Sequence, residues 1–424
     1  MFIGEVSDAR SVRWLAAKAR THMKKAIVGS RTVHRFYTRL LGCAHDVKIV
    51  QEQRAYERRA RACGLTEQTD NELRAALRER LGGRGIVSER ACSRPLNLLY
   101  ASHFGNWETQ VPKALEKLGR VTCYSLTERG FDFDAADWVN CRHLLDEDLF
   151  RFVHDLHERE PIDIVLSYLN GLQISSETIR AIGSLGIATA TFNLDDRLLY
   201  RGRFLGGRWT GSAAHAAAYD VNLTNSSASI LKYRVDGGLA AFWPAGADPE
   251  LFRPAAGAFE RDVAFVGGRY GARESWIEFL RKSGIKVEAF GAGWERGYVK
   301  TQEEMNHIWC TSRINLGFSW VGASQAQTCL KGRDFEIPMC GALYLTTEQP
   351  DLHRVYQVGS EVVSYRSRRD CVEKIRFLLS HPEVCDEIRS RARQRCLRDH
   401  TWQVRFQRLA WLLGMRPSVE DSSI

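Results

Sequence analysis

The sequence predicts an α/β protein made of two doubly wound parallel-sheet domains facing a cleft, preceded by a helical extension. Three observations predict it. Short apolar runs alternate with amphipathic segments of about ten residues, the grammar of strands joined by crossover helices. The alternation breaks once, at Ala241–Pro254 with Pro244, Pro249 and Pro254, and then resumes. Residues 1–94 contain no proline and no strand pattern. The expected boundaries are therefore 1–94 for the extension, 95–256 for the first sheet domain and 257–424 for the second.

In the extension, Val12, Leu15, Ala16 and Ala19, then Val33, Phe36, Tyr37, Leu40 and Leu41, recur at helical spacing. They predict three or four helices, the last at about Asn71–Leu81. The net charge of +9 is localised, because residues 1–95 carry 20 Lys/Arg against 10 Asp/Glu and the rest carries 40 against 41. Trp14, Met23, Phe36 and Tyr37 stand among Arg13, Lys18, Arg20, Lys24, Lys25, Arg31, Arg35 and Arg39. That mixture reads either as a solvated basic face or as a peripheral contact with an anionic membrane or polymer. No helix-turn-helix, finger or RNA-binding signature accompanies the charge, so no specific nucleic acid is expected as a partner. An independent sheet opening at Pro95 predicts that removing residues 1–94 leaves a folded core.

From Pro95 the strands expected are Leu96–Tyr100, Val121–Tyr124, Ile162–Leu166, Ala188–Phe192 and Val221–Leu223, with helices at Glu108–Leu118, Ser176–Ser184 and Ser227–Tyr233. The second domain repeats the pattern with strands Asp262–Val266, Val287–Phe290, Ile314–Phe318, Ala342–Leu345 and Glu361–Tyr365. Its helices are expected at Glu274–Ser283, Arg369–Leu379, Pro382–Leu397 and Thr401–Leu413.

No run of eighteen apolar residues and no secretory cleavage pattern is present, so a cytoplasmic protein is expected, with the inner face of a membrane as its only lipid contact. The eleven cysteines form no Cys-x-x-Cys pair, which fits neither a disulfide framework nor a zinc ribbon.

In open parallel sheets ligands bind beyond the carboxyl ends of the strands. There stand the turn Gly267-Gly268-Arg269, where the backbone can approach a phosphate ahead of a helix N-terminus, and Gly291, Gly293 and Trp294. Trp294 is a wall for a nucleoside base or a packed core residue. Arg333 and Glu336 lie one turn apart on a short helix closed by Pro338 and Gly341, so a guanidinium and a carboxylate share a face. A cation that grips a diphosphate beside a carboxylate that accepts from ribose hydroxyls suits a nucleotide sugar; a surface ion pair is the plainer reading. Base candidates are His103, in the first strand-to-helix loop, and Asp195 or Asp196. The two aspartates are adjacent, so on an extended segment they point apart and cannot grip one ion together. His154 and His157 share a helix face without further ligands at motif spacing, and no metal site is expected.

Leu330–Thr346 resembles the Arg-x-x-Glu plus Gly-x-x-x-Leu-Thr signature of the CgeB-like (spore-maturation-type) glycosyltransferases. The resemblance extends over about residues 96–410 through Phe192–Asp196, Trp243–Asp248, Phe252–Pro254, Val266–Gly268, His400–Trp402 and Arg405. It implies a GT-B architecture of two Rossmann-like domains, with the acceptor at the first sheet, the donor nucleotide at the second, and a last helix crossing back. By the same resemblance Glu336 would bind the ribose, Arg333 the diphosphate and Lys331 act as a second cation. The activity implied is transfer of a sugar from a nucleoside diphosphate donor to a glycan, lipid-linked or protein acceptor, without a cofactor. The chain departs from the retaining pattern of two glutamates eight positions apart, since Thr328 stands eight before Glu336. A sugar-nucleotide epimerase, or a degenerate scaffold binding a polyanion or partner, are the rival readings.

Overall fold

A computed structural model describes residues 31–86, 94–102 and 107–416. His103, and the extension's basic and aromatic positions up to Lys25, lie outside the described residues. The first sheet has the order β2-β1-β3-β4-β7-β8 and is parallel throughout. Its strands are β1 (Leu96–Ser102), β2 (Gly119–Ser125), β3 (Ile164–Tyr168), β4 (Ala188–Asn193), β7 (Val221–Thr224) and β8 (Ala240–Phe242). A two-stranded hairpin of β5 (Phe204–Leu205) and β6 (Arg208–Trp209) lies outside it. The second sheet, also parallel, runs β10-β9-β11-β12-β13. These strands are β9 (Arg261–Val266), β10 (Val287–Phe290), β11 (Ser312–Leu316), β12 (Tyr344–Thr347) and β13 (Val363–Tyr365).

The central strands are buried on both faces, and that is why they are uncharged and largely apolar. In each sheet the first strand lies between the second and third, which opens a crevice at its carboxyl end. The segment after β8 runs through Pro244 to Pro254. The last helix, Trp402–Leu412, returns to the first sheet: Ala247 bridges Thr401, Trp402 Nε1 donates to Gln110 Oε1 at 3.3 Å, and Arg405 Nε donates to the Pro244 carbonyl at 3.1 Å.

The described part of the extension is two helices, Arg31–Ala62 and Asp70–Gly82. The second has a Thr69/Glu72 capping box and sinks Leu73, Leu77 and Leu81 into the core that also holds Leu96, Leu98 and Trp402. The first reaches both domains. Glu52 pairs at 2.7 Å with Lys232, which is fully buried, and Tyr56 OH donates to Asp236 at 2.6 Å. Further up, His45 Nδ1 accepts from the Ala323 amide at 3.2 Å, and Asp46 accepts from Ser324 Oγ. The described part of the extension thus supplies core side chains and the counter-charge of a buried lysine, which a chain without residues 1–94 would lack. Phe36, Leu40 and Val47 remain exposed along the outer face of this helix. Among the described residues no helix is long and apolar enough to cross a membrane.

Candidate functional site

The second sheet builds its crevice from two interlaced turns. After β9, Gly267 N donates to Phe290 O at 2.8 Å; Arg269 N donates to Ala292 O at 2.9 Å. Gly291 has φ +118°, and a Cβ there would stand 2.6 Å from the Gly267 carbonyl oxygen, so only glycine lets the turns approach this closely. Trp294 closes the back: its indole N–H donates to Gly267 O at 2.8 Å, and its ring meets Phe265 edge-on at 6.0 Å. It is 8% exposed, a packed wall rather than an open platform. Arg269 is engaged too, donating to Gly293 O at 3.1 Å and to Glu274 at 2.5 Å.

Helix Arg333–Met339 is fixed by Asp334, whose buried carboxyl accepts from the Lys331 amide at 2.5 Å and from Tyr344 OH at 2.6 Å. Arg333 reaches the Gly267 turn, and the Glu336 carboxylate lies over Gly332 at the start of the same helix. They do not pair with each other, since no ion pair or side-chain hydrogen bond joins either to any described residue. Nη1 of Arg333 is buried without a partner. A Cβ placed on Gly267 would lie 3.3 Å from Arg333 Nη2 and 3.4 Å from Arg273 Nη1, so two guanidiniums converge over this glycine.

Arg273 is 2% exposed, lies 3.8 Å over the Tyr270 ring, and donates to Gly268 O and Tyr270 OH at 2.9 and 2.7 Å. No carboxylate among the described residues pairs with it. Burial, and then the charge of Arg333, push its pKa down to about 10. Burial pushes the Glu336 carboxyl up to about 7 against the pull of Arg333, with Asp334 adding to the rise. The crevice thus holds two cations without a counter-ion and a carboxylate without a donor, an arrangement that suits an anion joined to hydroxyl groups.

Across the cleft, Asp195 lies two residues beyond β4 at φ +65°, the one positive φ outside glycine among the described residues. Its Oδ1 meets Lys331 Nζ at 2.5 Å and accepts from Cys329 Sγ at 3.3 Å. Burial raises the Asp195 pKa, but Lys331 outweighs it and holds the group below the usual carboxylate range. Asp196 faces the other way. It is 1% exposed, accepts from Ser212 Oγ and Tyr233 OH at 2.7 Å each, and burial pushes its pKa up. Asp196 therefore serves the interior of the first domain and does not reach the crevice.

His154 is exposed beside Asp155 and Glu158, while His157 Nδ1 accepts from Ile162 N at 3.0 Å. Among the described residues no cluster of His, Cys, Asp or Glu is placed to hold a metal. The structure brings Gly267, Gly291 and Arg333 together, with Glu336 one turn along the helix from Arg333, Lys331 on Asp195, and Gly293, Trp294 and Arg269 packed behind the turns. Arg273 was missed by sequence reasoning. Its signal was a cation at the first position of helix Arg273–Lys282, where the helix dipole disfavours positive charge.

Residues 272–410 match a family model described as Glycosyl transferase-like. That segment contains Arg273, Lys331, Arg333 and Glu336 and leaves out the first sheet. No curated protein matches the chain. Among solved structures, the chain is similar to a glycosyltransferase from Rickettsia africae, with TM-score 0.53 and 10% identity over 76% of this chain and 98% of that one. It is similar also to sucrose-phosphate synthase from Thermosynechococcus elongatus, with TM-score 0.51 and 12% identity over 75% and 97%. At these identities the likeness is one of fold, and the fold is the two-sheet GT-B architecture.

Proposed function

We propose that the protein is a glycosyltransferase of the CgeB-like kind that binds a nucleoside diphosphate sugar in the crevice beyond β9, β10 and β12. One observation carries this reading: two guanidiniums, Arg273 and Arg333, converge over Gly267 without an ion pair to either, and Glu336 stands one helical turn from Arg333. Arg333 and Arg273 hold the diphosphate beside the Gly267-Gly268 backbone, and Glu336 accepts from the ribose hydroxyls. As the bond to the leaving diphosphate breaks, the charge that grows on it is met by these fixed cations, so the chemistry is served without a metal. Asp195, in the cleft on the first-domain side, is the acceptor-side carboxylate, and Lys331 stands between it and the diphosphate.

Thermal-shift screening of nucleoside diphosphates tests the reading, because a ligand that binds the native state raises its stability. At least one diphosphate should raise the melting temperature, and its sugar conjugate should be hydrolysed slowly without acceptor in the presence of a chelator. No shift with any nucleoside diphosphate at millimolar concentration would sink it.

A further inference from the structure

At the far end of the helix that carries Arg333 and Glu336, two thiols meet. Cys340 ends that helix, its backbone N–H directed at the carbonyls of Glu336, Ile337 and Pro338. Its side chain is buried, and Sγ donates to Asn306 Oδ1 at 2.7 Å. Asn306 in turn donates Nδ2 to the Arg253 carbonyl at 2.9 Å, which leaves its oxygen facing the thiol. Cys310, the last residue of helix Gln302–Cys310, is partly exposed. Its Sγ lies 3.8 Å from the Cys340 carbonyl and 3.5 Å from the Arg253 carbonyl.

The surroundings make the two sulfurs unlike. The neighbouring Cys340 thiol, a backbone hydrogen bond from Ala255 and the charge of Arg393 bring Cys310 down to about 7 against the effect of burial. Burial and the adjacent Cys310 push Cys340 well above the ordinary thiol range. A partly exposed sulfur that is thiolate near neutrality, backed by a dry protonated thiol, is the composition of an attacking and a resolving cysteine.

We propose that Cys310 and Cys340 are a peroxide-reactive pair that closes to an intrachain disulfide, cross-linking helix Gln302–Cys310 to helix Arg333–Met339. The Cys310 thiolate attacks one oxygen of hydrogen peroxide and the O–O bond breaks. Cys310 becomes a sulfenic acid, and the departing hydroxide takes a proton from solvent to leave as water. The Cys340 sulfur then attacks the sulfenic sulfur, the S–S bond forms, the S–O bond breaks, and the hydroxyl leaves as a second water with the Cys340 proton. The two thiols lose two electrons and the peroxide gains two. Nothing in this step depends on the donor reading, and the two stand or fall separately.

The test uses the full chain, reduced, exposed to hydrogen peroxide, quenched with N-ethylmaleimide and mapped after trypsin. Peptides 301–313 and 334–354 should be found joined, ahead of oxidation at the exposed Cys43, Cys63 and Cys123. Cys340→Ser should stop at a Cys310 sulfenic acid that dimedone traps, and Cys310→Ser should abolish the link while keeping the parent's circular dichroism. Iodoacetamide labelling of Cys310 should have its midpoint near pH 7 in the parent and move upward in Cys340→Ser. At pH 7 that leaves on the order of tenfold more thiolate than an ordinary thiol shows. A parent that oxidises first at the exposed cysteines, with peptides 301–313 and 334–354 never joined, overturns the proposal. So does a Cys310 labelling midpoint in the ordinary thiol range. Should Cys340→Ser not fold, the parent map and Cys310→Ser still decide.

Discussion

Polar groups in the two domains are treated in opposite ways. On the first-domain side, Asp196 receives two hydroxyl donors, Asp195 receives Lys331, and the buried Lys232 behind them receives Glu52. On the second-domain side, Arg333 and Arg273 have no carboxylate and Glu336 has no donor. Charge removed from water is costly unless it is paired. Groups paired within the chain therefore report on the fold, and groups left unpaired in a crevice report on what enters it.

The largest expected effect lies on the paired side. Glu52→Ala leaves Lys232 buried without its counter-charge, and breaking such a pair costs about 3–5 kcal/mol. Urea denaturation should show that loss, and removal of residues 1–94, which takes Leu73, Leu77 and Leu81 as well, should leave no soluble folded core. A soluble, cooperatively unfolding truncation would break the comparison, since the extension would then be an ornament.

Next come the unpaired groups. Hydrogen bonds to charged partners are worth about 1.5–3 kcal/mol, so Arg333→Ala should weaken a nucleoside diphosphate by roughly tenfold to a hundredfold in calorimetric titration. Inorganic pyrophosphate should lose affinity with it. Glu336→Gln should cost the nucleoside diphosphate about tenfold while leaving pyrophosphate unchanged. If both ligands weaken equally in Glu336→Gln, the carboxylate is not reading the ribose. Asp196→Asn sharpens the contrast from the other side. It should lower stability by about 1–3 kcal/mol, because one hydroxyl donor then faces an amide N–H, and leave diphosphate affinity where it was.

A further effect is a pH dependence. The Glu336 pKa is raised in the folded protein to about 7, above the ordinary carboxylate value. The native state therefore binds more protons than the unfolded one between those two values, and the ligand-free protein loses this stability contribution as pH rises through about 7. Affinity for the nucleoside diphosphate should move the opposite way, rising as the carboxylate ionises. Melting curves of the parent against Glu336→Gln isolate the component, and parallel curves for the two across pH 5–8 would contradict it.

How far the sequence could be read follows from where each signal resides. Leu96–Tyr100 and Ala188–Phe192 are legible because strands buried on both faces are rich in apolar and β-branched residues and carry no charge. Ile314–Phe318 was expected two residues late, since Phe318 continues the apolar run after leaving the sheet to pack against Trp276 and Trp320. β8 was lost because its three residues merge with the exit toward Pro244. Helix Gln302–Cys310, capped by Thr301, was passed over in a short polar stretch. At the crevice, the spacing of Arg333 and Glu336 and the glycine turns were visible. What spacing cannot show is the partner: Lys331 meets Asp195 from 136 positions away, Trp294 points inward, and Arg273 is buried beside Arg333 without an ion pair.

The helix Arg31–Ala62 has a mechanical consequence. At about 1.5 Å per residue it is a rod on the order of 48 Å long, pinned to Lys232 and Asp236 on one lobe and to Ala323 and Ser324 on the other. A hinge whose two leaves are joined through one stiff segment, here residues 45–56, cannot change its angle while both sets of contacts hold. Any opening or closing of the cleft must break one set of those contacts, in addition to ties such as Lys331–Asp195 that join the two lobes directly.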